Sequence, residues 1–238
     1  VLVENKFFDF NDFLSIRGLN LLFFSVFQGD FYKFFFRFLK DIGIPLVSFF
    51  DSFMNPDPDH EWPEGYLRFV GDFKKAAKKE LYSNLEDLLS DAQNIYEKNN
   101  DVGEPVRLNS YYYSRLMYFE RDWIREVLVR HLILKVDEME KDTLELADNI
   151  LDICDNLIID LKQPHKDNVL ETEFDFVVWK QDKYRESLRN FQNGKRSIHF
   201  NLRDSQVEKI RTFCEQNSDL EDSDFGFVAV ETILPRTD

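Results

Sequence analysis

The chain has 238 residues, with 45 Asp and Glu against 30 Lys and Arg; a net charge of −15 excludes a protein built to grip nucleic acid, which needs a basic surface. At 43% hydrophobic and 32% charged residues, with only 8 Gly and 7 Pro, it is too apolar for disorder and too poor in turn-formers for a fibrous or loop-rich chain. Its anomaly is aromatic: of 25 Phe, 15 fall within residues 1–53.

Val1-Leu2-Val3 reads as a short strand, and a first residue that is not Met leads us to expect a fragment of a longer polypeptide. Asn11 is the expected N-cap of a first helix running from Phe13 to Phe27 and ending at Gly29. Asp30 is expected to cap a second helix over Phe31–Asp41, stopped by Gly43, and Pro45 opens a third over Pro45–Met54. Three prolines between Asn55 and Pro63 demand a loop, which is also the expected boundary between residues 1–54 and a long-helix region over 64–163.

From Glu64 to Asn99, Leu67, Val70, Ala77, Leu81, Leu85, Leu88, Ala92 and Ile95 share one helical face, as one helix or as two pieces broken near Ser83-Asn84. A helix capped near Asn109-Ser110 carries Leu116, Phe119, Trp123, Val127 and Leu134. The next has Leu144, Ala147, Leu151, Cys154, Ile158 and Leu161 in a/d register. Beyond Pro164 the period changes. Phe174–Trp179 reads as a strand, Asp182–Phe191 as a helix ending at Gly194, Ser197–Leu202 as a strand and Asp204–Gln216 as a helix; Phe225–Leu234 reads equally as strand or helix. The expected fold is therefore mainly α. It is an antiparallel helical bundle with a small C-terminal strand–helix–strand–helix (α+β) unit over 170–238, the whole also readable as one compact domain.

Few residues point to chemistry. Cys154 and Cys214 form no CxxC or CxxxCxxC pattern, so no zinc or iron–sulfur site is built from thiolates, and two lone cysteines without a visible signal peptide suit a reduced, cytoplasmic location. The longest apolar run, Leu21–Phe27, is too short for a membrane span. Glu145, Asp148, Asp152 and Asp155 make an acidic row at helical spacing; no histidine joins it, so it reads as a solvated face rather than a metal centre. His60, His131, His165 and His199 are scattered, His131 near an apolar face and His199 on a strand. Arg121 and Arg125, with Trp123 between them and Tyr111-Tyr112-Tyr113 nearby, are the candidate site for an anionic or planar ligand. Glu120, Asp122 and Glu126 offer them ordinary ion pairs instead. The Phe-rich opening, including Phe23, Phe27, Phe31 and Phe35, exceeds what short helices bury among themselves, so it is expected to be core or an interface to another domain or a second copy. No catalytic, cofactor-binding or metal-binding residue emerges.

The opening Val1-Leu2-Val3-Glu4, Phe10-Asn11-Asp12-Phe13 and Arg17–Leu22, with Gly29-Asp30-Phe31, Phe38-Leu39-Lys40, Gly43-Ile44-Pro45 and Phe49-Phe50, resembles the stretch after the catalytic barrel of cobalamin-binding radical SAM proteins. The tail, Phe174–Trp179, Leu188, Phe191, Ile198-His199-Phe200 and Gln206, is similar to the C-terminal segment of the same family. The likeness covers the two ends and not the middle helices. It implies an accessory C-terminal domain of an Fe–S oxidoreductase, packed on upstream domains of the same polypeptide. The parent would hold a 4Fe-4S cluster, S-adenosylmethionine and cobalamin; none of their ligands is carried over to this chain, and no cofactor is expected in it. The alternative is a free-standing helical protein–protein interaction module, including a homodimer through the Phe-rich region.

Overall fold

The computed structural model describes residues 9–79, 86, 89–90, 93, 108–136, 141–158, 168–200 and 204–216. The expected strand at Val1–Val3, the break near Ser83-Asn84, the turn at Pro164 and the tail Phe225–Leu234 lie outside them, as do most of the expected face from Leu81 to Ile95. The fold is mainly α with one two-stranded antiparallel sheet. No described helix is long and apolar enough to cross a membrane.

Helix α1 spans Phe10–Phe23. Its N-cap is Asp9 rather than Asn11: the Asp9 carboxylate accepts from the backbone N–H groups of Asn11 and Asp12, and the Asp12 carboxylate accepts from the Asp9 N–H. That reciprocal pair needs a side-chain acceptor at the N-cap and another three residues on; with Asn11 as the cap the second position would be Leu14, which has none. The apolar run continues not as α-helix but as a π turn, Phe24–Gln28, closed by Gly29 N–H on the Phe24 carbonyl at 3.1 Å. Gly29 is required there. A Cβ would come within 2.1 Å of the Tyr113 ring, whose hydroxyl donates to the Gly29 carbonyl at 2.9 Å.

Helix α2, Lys33–Asp41, starts two residues later than expected. Asp30 and Tyr32 adopt left-handed backbone angles (φ 55° and 45°), and the Asp30 carboxylate holds the Lys33 ammonium instead of capping backbone N–H groups. Gly43 (φ 81°) ends the helix as expected: Ile44 N–H reaches the Leu39 carbonyl and Gly43 N–H the Lys40 carbonyl, the double-bonded stop that favours glycine. Helix α3 is Leu46–Met54, with Pro45 at its N-cap, and α4 is Glu64–Lys79 after the proline loop.

The helix expected beyond Asn109 is interrupted. Helix α5, Leu108–Ser114, passes into a second π turn, Arg115–Phe119, and α6, Arg121–Lys135, begins afresh. Leu116, Trp123 and Val127 are buried as expected, whereas Leu134 is 45% exposed and the buried positions of the last turns are His131 and Leu132. Helix α7, Lys141–Leu157, buries Ala147, Leu151 and Cys154 from the expected register together with Leu146, Ile150 and Ile153. The stripe is wider than a coiled-coil seam because α7 packs on both α2 and the sheet.

The C-terminal unit keeps the expected order of elements but not their positions. Strand β1 is Asn168–Phe174, and Phe176–Gln181 is a helix, α8, where a strand was expected. Asp175 decides this: its carboxylate caps the Val178 N–H at 3.0 Å while the Trp179 N–H bonds its carbonyl. An N-cap overrides the β preference of Phe-Val-Val-Trp. Asp182–Phe191 is mostly turn, with a short 3₁₀ segment at Leu188–Phe191, and β2 runs Gln192–Phe200 with Gly194 (φ 83°) inside it, not ending a helix. The strands pair from Asn168↔Phe200 to Phe174↔Gln192 with a bulge near Thr172, and helix α9 spans Asp204–Gln216. One continuous core joins side chains from α1 to β2, so the three expected segments share an interior.

Candidate functional site

The aromatic opening is spent mostly inward. Phe31 and Phe35 are fully buried, Phe31 against Tyr32 and Phe36, Phe35 against Phe36 and Phe49. They are therefore core, not interface, because α2, α3 and α7 enclose them. Phe23 and Phe27 differ: each is 36% exposed, and their rings stack at 5.6 Å, with Phe23 also edge-on to Phe50 of α3. The two rings are four residues apart, the spacing that sets side chains one above the other along a helix.

Arg121, Trp123 and Arg125 do not converge. Arg121 and Arg125 face α7, where Arg125 binds Asp148 at 2.5 Å, Asp152 at 2.6 Å and Asp155 at 3.1 Å, and Arg121 donates to the Asp155 carbonyl at 3.1 Å. The Tyr32 hydroxyl also donates to Asp155. Three of the four acids in the row, Asp148, Asp152 and Asp155, therefore form a clamp between two helices rather than a bare solvated face. Burial works to lower the Arg125 pKa, but the hydrogen bonds and charges of Asp148 and Asp152 outweigh it and raise it net. This guanidinium has its anions already.

Trp123 turns the other way, into the core beside Tyr66 and Phe69, and its indole N–H donates to Glu120 at 3.1 Å. Glu120 also accepts from Arg115, whose guanidinium lies over Phe69 and Tyr112 at 5.6 and 5.4 Å. The buried acid at the break between the second π turn and α6 is thus fully partnered, a role hidden in sequence because Glu120 sits among surface-looking charges.

His131 is 2% exposed and stacked on Trp62 at 4.4 Å. The Tyr66 hydroxyl is 2.5 Å from the Phe53 carbonyl and 2.9 Å from His131 Nε2. A carbonyl only accepts, so the hydroxyl donates to it and Nε2–H donates to the hydroxyl, which assigns the tautomer. Burial, with Lys135 adding repulsion, pushes the His131 pKa down to about 4, so the ring is neutral near pH 7. It can serve the fold but has no free nitrogen aimed at solvent through Nε2. Cys154 is sealed, its thiol pushed up to about 12 by burial. His199 lies on β2 opposite Val169, half-buried, and His60 pairs with Asp57 at 3.3 Å in the proline loop.

An open recess of about 340 Å³ lies between α7 and the sheet, lined by Asn149, Glu171, Thr172, Glu173, Phe174 and Lys195. No catalytic pair of a nucleophile and an oriented base lines it. No protein-family model, curated protein or solved structure matches the chain.

Proposed function

We propose that the chain is a contact domain that binds a protein surface through the Phe23–Phe27 face at the end of α1. The observation that carries this reading is the rigid, half-exposed aromatic stack in a chain that otherwise encloses the aromatic rings of α2 and α3. Stacked rings already fixed against Phe50 lose little freedom on docking, which is why aromatics dominate contact surfaces.

The partner implied by the resemblance is the catalytic barrel of a radical SAM Fe–S oxidoreductase, upstream in the same polypeptide. The chain would be its accessory C-terminal domain, shaping substrate access without supplying a cluster, S-adenosylmethionine or cobalamin ligand. The position of the face supports this, since it lies on the helix that the resemblance sets directly after the barrel. A free-standing interaction module, pairing with another protein or as a homodimer, is the second reading. It is supported by the burial of Phe31 and Phe35 within the chain's own core.

The upstream reading frame separates the two: CxxxCxxC within the preceding few hundred codons is expected for the first reading, and an initiator codon directly before Val1 overturns it. For the face itself, Phe23→Ser/Phe27→Ser is expected to retain the far-ultraviolet spectrum while exposing no new surface and losing contact. Amide exchange at the end of α1 that is equally fast with and without the upstream domains overturns the accessory-domain reading, and exchange unchanged at every concentration of the isolated chain overturns the homodimer.

A further inference from the structure

The charged seams of the fold are paired: Arg125 has three aspartates, Arg115 has Glu120 and Arg196 has Asp175. The recess between α7 and the sheet departs from this. Glu171 and Lys195 both line it, yet neither has an ion-pair or hydrogen-bond partner among the described residues. The break in strand register explains Lys195. The pairing from Asn168↔Phe200 to Thr172↔Arg196, continued by one step, would set Lys195 opposite Glu173 as an ordinary cross-strand ion pair. Phe174 pairs with Gln192 instead, so β2 takes four steps, Gln192 to Arg196, where β1 takes two, Thr172 to Phe174. Gly194 (φ 83°) supplies the left-handed residue inside that bulge. Bulges of this kind re-aim a side chain out of the ladder. Glu173 accepts from the Gln192 amide at 3.0 Å through one oxygen, and Lys195 is left facing the recess.

Two further groups in the recess keep unused capacity. Glu173 has its second oxygen, and Asn149, whose Nδ2 donates to the Glu145 carbonyl at 2.7 Å, keeps its amide oxygen to accept. Glu171 and Glu173 are exposed on the same side of β1 while Thr172 between them is buried, which sets the two carboxylates two strand steps, or about 7 Å, apart. The neighbouring cations are spent elsewhere, Arg196 on Asp175 and Arg189 on the Thr143 hydroxyl at 2.9 Å. The lining therefore offers two carboxylates, one ammonium and an apolar wall from Phe174, in a concavity of about 340 Å³. Its complement is a small molecule with two cationic groups and one carboxylate.

We propose that this recess binds a free basic amino acid, arginine or lysine. Lys195 holds the carboxylate. Glu173, its neighbour in the unbroken register, takes the α-ammonium beside it, and Glu171 takes the side-chain cation two steps along the strand. A concave wall raises the value of each charge-assisted bond over the same pair on an open surface. Both α groups must be free, which separates the ligand from a peptide: a chain end offers only one of them. The acids also set the sign of the preference, because two carboxylates against one ammonium repel an acidic amino acid. The site lies on other elements than the Phe23–Phe27 face and needs no protein partner, so it goes beyond the docking reading and stands or falls without it.

Calorimetric titration of the full chain at fixed ionic strength tests it, with arginine, lysine and three analogues that each lack one group: agmatine without the carboxylate, Nα-acetylarginine without the α-ammonium, and leucine without the side-chain cation. Saturable binding of arginine or lysine is expected with a Kd at or below about 1 mM, and each analogue is expected to bind at least about tenfold more weakly. Lys195→Met is expected to weaken arginine about tenfold and leave agmatine no weaker, while Glu171→Gln narrows the lead of arginine over leucine. Both side chains are exposed, so neither variant is expected to disturb folding. Lys79→Gln, exposed at the end of α4, is the control and is expected to bind as the parent does. No saturation by arginine or lysine at about 10 mM overturns the proposal. Agmatine binding as tightly as arginine also overturns it, since the recess would then be an acidic surface that attracts any cation. Unchanged arginine binding in Lys195→Met does the same.

Discussion

Helix α6 carries two polar contacts of opposite design on its two sides. Toward α4 and the proline loop, Glu120 just before its first residue and His131 in its last turns face an aromatic interior, where each is buried and hydrogen-bonded to one or two side chains. Toward α7 it presents Arg125 to three aspartates that remain half-exposed. The inner groups cannot lose a partner cheaply, because an unpaired polar group in a low-dielectric interior carries its full desolvation cost. The outer groups can fall back on water. More charges are drawn together on the outer side, yet less stability depends on them.

Removing the buried acid gives the strongest test of that contrast. Glu120→Ala is expected to destabilise the fold by about 3–5 kcal/mol, since it leaves the mostly buried Arg115 with only the 3.8 Å contact to Asp72 and strands the Trp123 indole N–H. Urea unfolding measures it, and a loss under about 1 kcal/mol would show the inner side to be as forgiving as the outer.

Next comes pH. His131 is depressed in the folded state to about 4 against an ordinary value of about 6.5, so the unfolded chain binds the extra proton first. Stability is therefore fully present above pH ~6.5 and falls as pH drops toward 4, by about 3 kcal/mol at most. The thermal midpoint of the parent is expected to fall between pH 7 and pH 5, and the His131→Gln variant, less stable at pH 7, is expected to show a flatter profile over that range. Equal slopes would mean that carboxylates elsewhere set the acid limb.

The smallest effect belongs to the outer clamp. Arg125→Met is expected to cost up to about 1 kcal/mol at low salt, shrinking as ionic strength rises. A salt-independent loss of several kcal/mol would place Arg125 with the inner groups and dissolve the distinction.

The contrast also explains what could be read in the sequence. Helices α3 and α7 and the stops at Gly43 and in the proline loop were legible because apolar spacing, glycine and proline act locally. Asp175 was legible in principle, an N-cap before an apolar run, but Phe-Val-Val-Trp pulled the reading toward a strand. Strand β1 was missed because Glu171 and Glu173 alternate with Leu170 and Thr172, a weak pattern that only its partner β2 makes stable. The two π turns left no sign in the apolar spacing, which runs through both without a break. Of the expected contact residues, Phe23 and Phe27 reach the surface while Phe31 and Phe35 do not, because the latter two are enclosed where α2 packs on α3 and α7.

The two cysteines give the molecule a built-in measure of its own opening. Cys154 lies under the first turn of α2, against the backbone of Phe34 and Phe35, while Cys214 on α9 is only partly covered. A thiol reagent should therefore consume one equivalent promptly and a second only when α2 lifts from α7. The slow phase would report how often that seam separates under native conditions, before any global unfolding.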